Sequence, residues 1–284
     1  MKVLILGASG MIGSAMMRVL SETSDFEIQG TVRRSEIKSF FSKTIAKNLI
    51  INVDVESHDS FYELLKRMQP DVVINCIGLT KHKPEAEDPL VSIPINTLMP
   101  HRLFKQCALI GARLIHISTD CVFSGKKGGY LESDYPDAID IYGKSKALGE
   151  INYPNSITLR TSTIGHELNS KFGLLEWFLA QNDSCKGFSR AIFSGVPTIV
   201  LANIIRDYVI PNKQLSGIYH IAAKPINKYE LLELIAQVYG KTIKISPKDS
   251  FVIDRSLNAD KFYAATGYYA PDWSELIQMM FNYK

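Results

Sequence analysis

The chain has 284 residues, 46% apolar and 21% charged, with a formal net charge of +3. That length accommodates one large α/β domain or one domain with a smaller companion. The small charge excess argues against nucleic acid or a membrane surface as the main partner, and no apolar run reaches the roughly 18 residues that a membrane span requires.

The chain opens on an apolar strand, Lys2–Leu6, with neither the charged region nor the cleavage site of a signal peptide. The strand feeds Gly7-Ala8-Ser9-Gly10-Met11-Ile12-Gly13 and then an apolar helix, Met11–Leu20. Glycines at this spacing, between a strand and a helix, let backbone N–H groups and a helix N-terminus meet a dinucleotide pyrophosphate. Gly7, Ser9, Gly10, Met11, Ile12 and Gly13 are therefore candidate cofactor residues. A second strand, Glu27–Val32, ends at Arg33 and Arg34. An NAD site usually carries an acidic residue there for the ribose 2′-hydroxyl, whereas two guanidiniums suit a 2′-phosphate. NADP(H) is the expected cofactor. A third strand, Leu49–Val53, places Asp54 and Val55 beside the adenine. A fourth, Asp71–Ile77, places Cys76, Ile77 and Gly78 along the ribose side, with Gly78 admitting close backbone approach. Lys81-His82-Lys83 follows at the same edge and reads equally as a diphosphate contact or a solvated loop.

Helices are expected over Phe61–Met68 and Ile95–Ile110, before a fifth strand, Arg113–Ser118, that runs into Thr119 and Asp120. A loop, Ser124–Asp140, precedes the helix Tyr142–Ile151, which carries Tyr142 and Lys146 four residues apart and so on one face. A free tyrosine titrates near 10 and a neighbouring ammonium lowers that value, which makes Tyr142 a proton donor for carbonyl reduction. Thr119 is placed to hold the carbonyl oxygen. A sixth strand, Ser156–Arg160, completes an alternation that predicts a Rossmann-type, doubly wound parallel sheet. After Arg160 the rhythm changes: a helix at Phe172–Gln181 with no clear βα unit, a helix at Ile199–Ile210, a strand at Ile218–Ile221, and helices at Lys228–Tyr239 and Ser274–Phe281. Residues 1–160 and 198–222 are read as the nucleotide-binding domain. Residues 161–197 and 223–284 are read as a smaller, discontinuous substrate subdomain.

The remaining reactive side chains carry less. Cys76, Cys107, Cys121 and Cys185 have no metal-ligand spacing and read as reduced core thiols of a cytoplasmic protein. His82, His116 and His220 read as surface or core residues, with no metal site, and Trp177 and Phe178 as packing residues.

Three segments together resemble the extended short-chain dehydrogenase/reductases, and within them most closely the dTDP-4-dehydrorhamnose reductase group. They are Gly7–Gly13, Ser118-Thr119-Asp120-Cys121-Val122-Phe123-Ser124-Gly125, and Tyr142-Gly143-Lys144-Ser145-Lys146-Ala147-Leu148-Gly149-Glu150. Leu159-Arg160-Thr161-Ser162, Pro197-Thr198, Gly217–His220 and Asp254-Arg255-Ser256-Leu257 match later landmarks. The resemblance implies reduction of the 4-keto group of a nucleotide-activated 6-deoxyhexulose with NADPH, for cell-surface polysaccharide precursors. It implies Thr119, Tyr142 and Lys146 as the catalytic set, and Ser118, Thr119, Asp120, Cys121, Thr163 and Arg255 at the substrate. It leaves a homodimer open. Cys121 and Thr163 stand where the family usually has an aromatic residue and a tryptophan. A smaller Thr163 leaves room for a 2-acetamido group, which makes a UDP-2-acetamido-2,6-dideoxyhexos-4-ulose the alternative substrate. Two other readings remain: a non-catalytic NADP-binding regulatory subunit, like that of methionine adenosyltransferase, and an epimerase or dehydratase. A dehydratase would typically carry an Asp-Glu pair after the threonine, whereas here Asp120 is followed by Cys121.

Overall fold

The computed structural model describes residues 1–81 and 84–283. Its centre is a seven-stranded sheet. Strand β1 (Lys2–Leu6) lies between β2 (Glu27–Thr31) and β4 (Val72–Asn75); β3 (Leu49–Ile50) closes the β2 edge; β5 (Arg113–Thr119) and β6 (Ser156–Thr161) extend the other side. All pairs are parallel. Alternation along β1 shows why the sheet is covered on both faces. Val3 and Ile5 enter one apolar cluster with Met16, Met17 and Leu20 of the helix Met11–Leu20, while Leu4 and Leu6 enter a second with Phe61, Leu65 and Leu103.

The helix expected over Ile95–Ile110 is regular only over Met99–Leu109 and is preceded by a wider π turn at Ile93–Leu98. Pro100 has no N–H to return to the carbonyl of Asn96 four residues earlier, so the regular ladder cannot extend through it. The freed turn presents Asn96 to the site.

Short strands appear where the sequence suggested few elements. Strand β7 (Thr163–Ile164) pairs with β10 (Val196–Pro197), β8 (Ser184–Phe188) pairs with a later strand, and β9 (Ala191–Phe193) is the middle of a small sheet. Strand β11 (Gly217–His220) returns to the main sheet as the parallel neighbour of β6. Then β12 (Ile226–Asn227) and β14 (Ile253–Asp254) flank β9, and β13 (Lys244–Lys248) is the partner of β8. A further helix covers Asp260–Thr266. No helix among the described residues is long and apolar enough to cross a membrane.

Candidate active site

The glycine turn is built as a cradle. Gly7 has φ +77°, and its N–H donates to Thr31 Oγ1 at 3.3 Å. A Cβ on Gly13 would stand 2.1 Å from the Gly7 carbonyl oxygen, so the helix packs onto the turn only without a side chain there. Gly10 differs: a Cβ would meet only the Gly7 oxygen, at an ordinary 3.5 Å. Packing does not demand glycine at position 10, yet it caps the helix without a side-chain bond and leaves its first turn bare. The amides of that turn have no intrahelical acceptors, the arrangement in which a helix N-terminus can hold an anion. Gly78, after β4, is similarly bare: the nearest atoms to a Cβ would be Asn96 Oδ1 at 3.6 Å and Lys146 Nζ at 3.8 Å. These two uncovered glycines fit a dinucleotide running from the first turn towards Lys146. Cys76 and Ile77 lie against Gly7 along that line.

Arg33 and Arg34 are exposed just past β2. The predicted end of the third strand requires a correction. The third strand stops at Ile50, Asn52 adopts φ +58°, and Asp54 sits beyond it, accepting from Glu56 N–H at 2.9 Å. The left-handed turn at Asn52 ends the ladder before the predicted boundary. Val55 leans on the second apolar cluster. His82 and Lys83 lie outside the described residues.

Thr119 ends β5. Its hydroxyl donates to Asp120 Oδ1 at 3.1 Å and accepts from Cys121 N–H at 3.1 Å. The helix Ile141–Leu148 begins at Asp140, whose carboxylate accepts from Gly143 N–H at 2.7 Å. A Cβ on Gly143 would stand 2.3 Å from the Cys121 carbonyl oxygen, so the glycine between Tyr142 and Lys144 lets the helix press against the end of β5. Tyr142 thereby comes beside the Thr119 hydroxyl. One turn on, Lys146 is buried and donates to the Ile117 carbonyl at 2.9 Å.

The electrostatics overturn one expectation. The ammonium of Lys146 does not lower the Tyr142 pKa; burial raises it above the ordinary value, and Cys121, Asp120 and Asp140 add to the rise, opposed by the neighbouring Thr119 hydroxyl. Tyr142 is therefore held as a protonated phenol. Lys146 moves the other way, drawn down to about 8 by burial, with Glu150 and Cys76 opposing.

Ser118 also differs from expectation. It is buried, and its hydroxyl donates to Glu150 Oε1 at 2.7 Å, because successive residues of a strand face opposite sides and Thr119 takes the open one. Glu150 forms a two-point pair with Arg160, at 2.8 Å from Nε and 2.7 Å from Nη2. Both side chains are almost fully buried, Arg160 at 2% and Glu150 at 4% exposure. Arg160 also lies 5.1 Å over the Phe123 ring, and its Nη1 is 3.3 Å from His220 Nε2. This pair fastens the base of the candidate site, and sequence reasoning assigned neither residue a role.

Asn96 was missed as well. Its side chain accepts from Leu79 N–H at 2.9 Å and donates to the Leu79 carbonyl at 3.1 Å and to Ser145 Oγ at 3.2 Å. It couples the loop carrying Gly78 to the helix carrying Tyr142 and Lys146. No spacing in the sequence marks it; only Pro94 and Pro100 hint at the irregular turn. His116 is fully buried and takes its Nδ1 contact from Asn75 at 3.0 Å, with burial pushing its pKa well down. Among the described residues no group of three or more His, Cys, Asp and Glu could hold a metal, and the four cysteines are free.

Arg255 reaches the site from β14: Nε donates to the Phe123 carbonyl at 2.8 Å, and Nη1 contacts Cys121 Sγ at 3.4 Å. Thr163 is half-buried at the start of β7, opposite Val196. Phe178 is buried and Trp177 is partly exposed.

Residues 1–281 match the family described as the RmlD substrate binding domain. A dTDP-4-dehydrorhamnose reductase of Aggregatibacter actinomycetemcomitans is 26% identical over 79% of this chain and 74% of its own. The methionine adenosyltransferase 2 subunit beta of Rattus norvegicus is 29% identical over 52% of this chain and 41% of its own. Among solved structures, a dTDP-4-dehydrorhamnose reductase of Bacillus anthracis in complex with NADP superposes with a TM-score of 0.81 at 21% identity. It covers 100% of this chain and 99% of its own, and shows the same fold.

Proposed function

The chain belongs to the RmlD substrate binding domain family, and from that premise we propose that it reduces the 4-keto group of a nucleotide-activated 6-deoxyhexulose with NADPH. The observation that carries this reading is the convergence of Thr119, Tyr142 and Lys146 at the end of β5, beside the uncovered Gly78. NADPH, when bound, supplies the hydride. Tyr142 keeps its proton on the phenol and gives it to the carbonyl oxygen, which Thr119 orients. Lys146, anchored to the Ile117 carbonyl, would hold the cofactor ribose. Residues 1–160 and 198–222 would bind the cofactor, and residues 161–197 and 223–284 the sugar nucleotide, with Asp120, Cys121, Thr163 and Arg255 at the sugar. Ser118 is then a support for Glu150 rather than a contact.

Arg33 and Arg34 support the 2′-phosphate form of the cofactor. A charge-assisted hydrogen bond from either guanidinium to that phosphate contributes about 1.5–3 kcal/mol. Replacing both by alanine is expected to raise the Kd of NADPH by at least about 10-fold and to change that of NADH far less. Equal weakening for both cofactors, measured by fluorescence titration, would remove the arginines from the phosphate.

Production of cell-surface polysaccharide precursors in the cytoplasm follows from the same reading. The half-buried Thr163 leaves space that suits a UDP-2-acetamido-2,6-dideoxy sugar as the second substrate choice. Likeness to the methionine adenosyltransferase subunit supports a different reading, an NADP-binding regulatory protein. Incubation with NADPH and a panel of dTDP-, UDP- and GDP-linked 4-keto-6-deoxy sugars separates the two. The reductase reading expects loss of NADPH absorbance with at least one of them, and the regulatory reading expects none.

A further inference from the structure

His116 and Asn75 stand directly opposite one another on β5 and β4, and neither has any exposed surface. Strand alternation puts them on the same face as Leu114 and Val73 of the second apolar cluster. The Asn75 amide is committed at both ends. Its Oδ1 accepts from Ile77 N–H at 3.1 Å, and its Nδ2 lies 3.0 Å from His116 Nδ1 and 3.9 Å from Met99 Sδ. A backbone N–H can only donate, which fixes the amide oxygen towards Ile77 and the amide nitrogen towards the imidazole. His116 must therefore accept at Nδ1 and carry its one proton on Nε2, where it has no partner among the described residues. Burial, and then Lys146 and His101 nearby, hold its pKa well down and keep the ring neutral.

A buried donor left without a partner is costly, and an apolar residue in this cluster would avoid that cost. What the imidazole supplies is a bare acceptor that stops the Asn75 amide from turning over. The consequence reaches the candidate cofactor line. Cys76 N–H still continues the ladder to the Leu6 carbonyl at 3.1 Å, but Ile77 N–H goes to the Asn75 side chain, so the strand ends in a turn closed by that side chain. The turn seats Ile77 Cγ1 3.0 Å and the Cys76 carbonyl 3.4 Å from where a Gly7 Cβ would stand, and it sets the bare Gly78 beside Lys146.

We propose that His116 is a positioning residue for cofactor binding: as a neutral acceptor it locks the Asn75 amide, which in turn holds the turn at residues 76–78 against the glycine cradle. The proposal rests on the nicotinamide-cofactor reading above and adds the residue that sets the shape of this turn. Fluorescence titration with NADPH of the unmodified protein, His116→Leu and His116→Asn tests it. The two variants share a branched shape and leave similar space, but only asparagine keeps an oxygen one bond beyond Cγ, where Nδ1 stands. Leucine is expected to raise the Kd by about 5-fold or more, and asparagine to recover most of that loss. If the ring only filled the core, the apolar leucine would serve at least as well as asparagine. Equal affinity in the two variants, or the better affinity in leucine, would overturn the proposal and leave the cofactor reading standing. Nitrogen NMR of the unmodified protein decides the matter where the variants do not fold. A proton fixed on His116 Nε2 with Nδ1 bare is expected, and a proton on Nδ1 would overturn the proposal. Failure of the unmodified protein to bind NADPH or NADH would overturn the cofactor reading as well.

Discussion

Tyr142→Phe is expected to lower turnover of the 4-keto sugar by about 10²–10⁴-fold, the range that general acid catalysis usually supplies. The substitution removes only the phenolic oxygen, and the helix that carries the ring is held by Asp140 and by the close approach of Gly143 to Cys121, neither of which involves that oxygen. NADPH affinity should therefore stay near that of the unmodified protein. Burial and the neighbouring carboxylates hold the phenol protonated, so its role is that of an acid awaiting an oxyanion, and the proton moves only as negative charge develops on the substrate. Single-turnover kinetics with Tyr142→Phe would show whether the deficit lies in the chemical step. Near-normal single-turnover rates would remove Tyr142 from proton transfer.

Glu150→Ala is expected to be the most destabilising substitution around the site. Arg160 would stay buried with its Nε and Nη2 bonds gone, and Ser118 would lose its acceptor. Removing one member of a buried ion pair costs about 3–5 kcal/mol, because the other charge is left uncompensated. For a chain of this size that lowers Tm on the order of 10 °C. Glu150→Gln keeps an acceptor for Ser118 and should cost less, but it removes the carboxylate that holds the Lys146 pKa up against burial. Lys146 should then titrate below about 8. Melting temperatures of the two variants check the first point. The pH profile of NADPH affinity checks the second, with an unshifted profile arguing that Glu150 acts only on the fold.

The main sheet was legible because its signals are local. Lys2–Leu6 and Met11–Leu20 were readable to the residue from an apolar run, a glycine turn and a helical period. Thr119, Tyr142 and Lys146 were readable because strand end and helix spacing fix their faces. What escaped was non-local. Strands β7 to β10 and β12 to β14 are two to five residues long and draw their order from partners distant in sequence, as Lys244–Lys248 does from Ser184–Phe188. The Asn96 bonds with Leu79 and Ser145 join three segments through one side chain. The Tyr142 pKa also depended on burial, which the spacing of Tyr142 and Lys146 alone could not reveal.

Isotope transfer tests the central claim most directly. NADPH carrying deuterium at the transferable position of C4 is incubated with the protein and the 4-keto sugar nucleotide that consumes it, and the product is read by mass spectrometry and NMR. Net reduction predicts one deuterium on C4 of the hexose and one equivalent of NADP⁺ per product. Unlabelled product formed with no net oxidation of the cofactor would contradict reduction and point to epimerisation or dehydration. Binding of the labelled cofactor without any product would leave a regulatory protein.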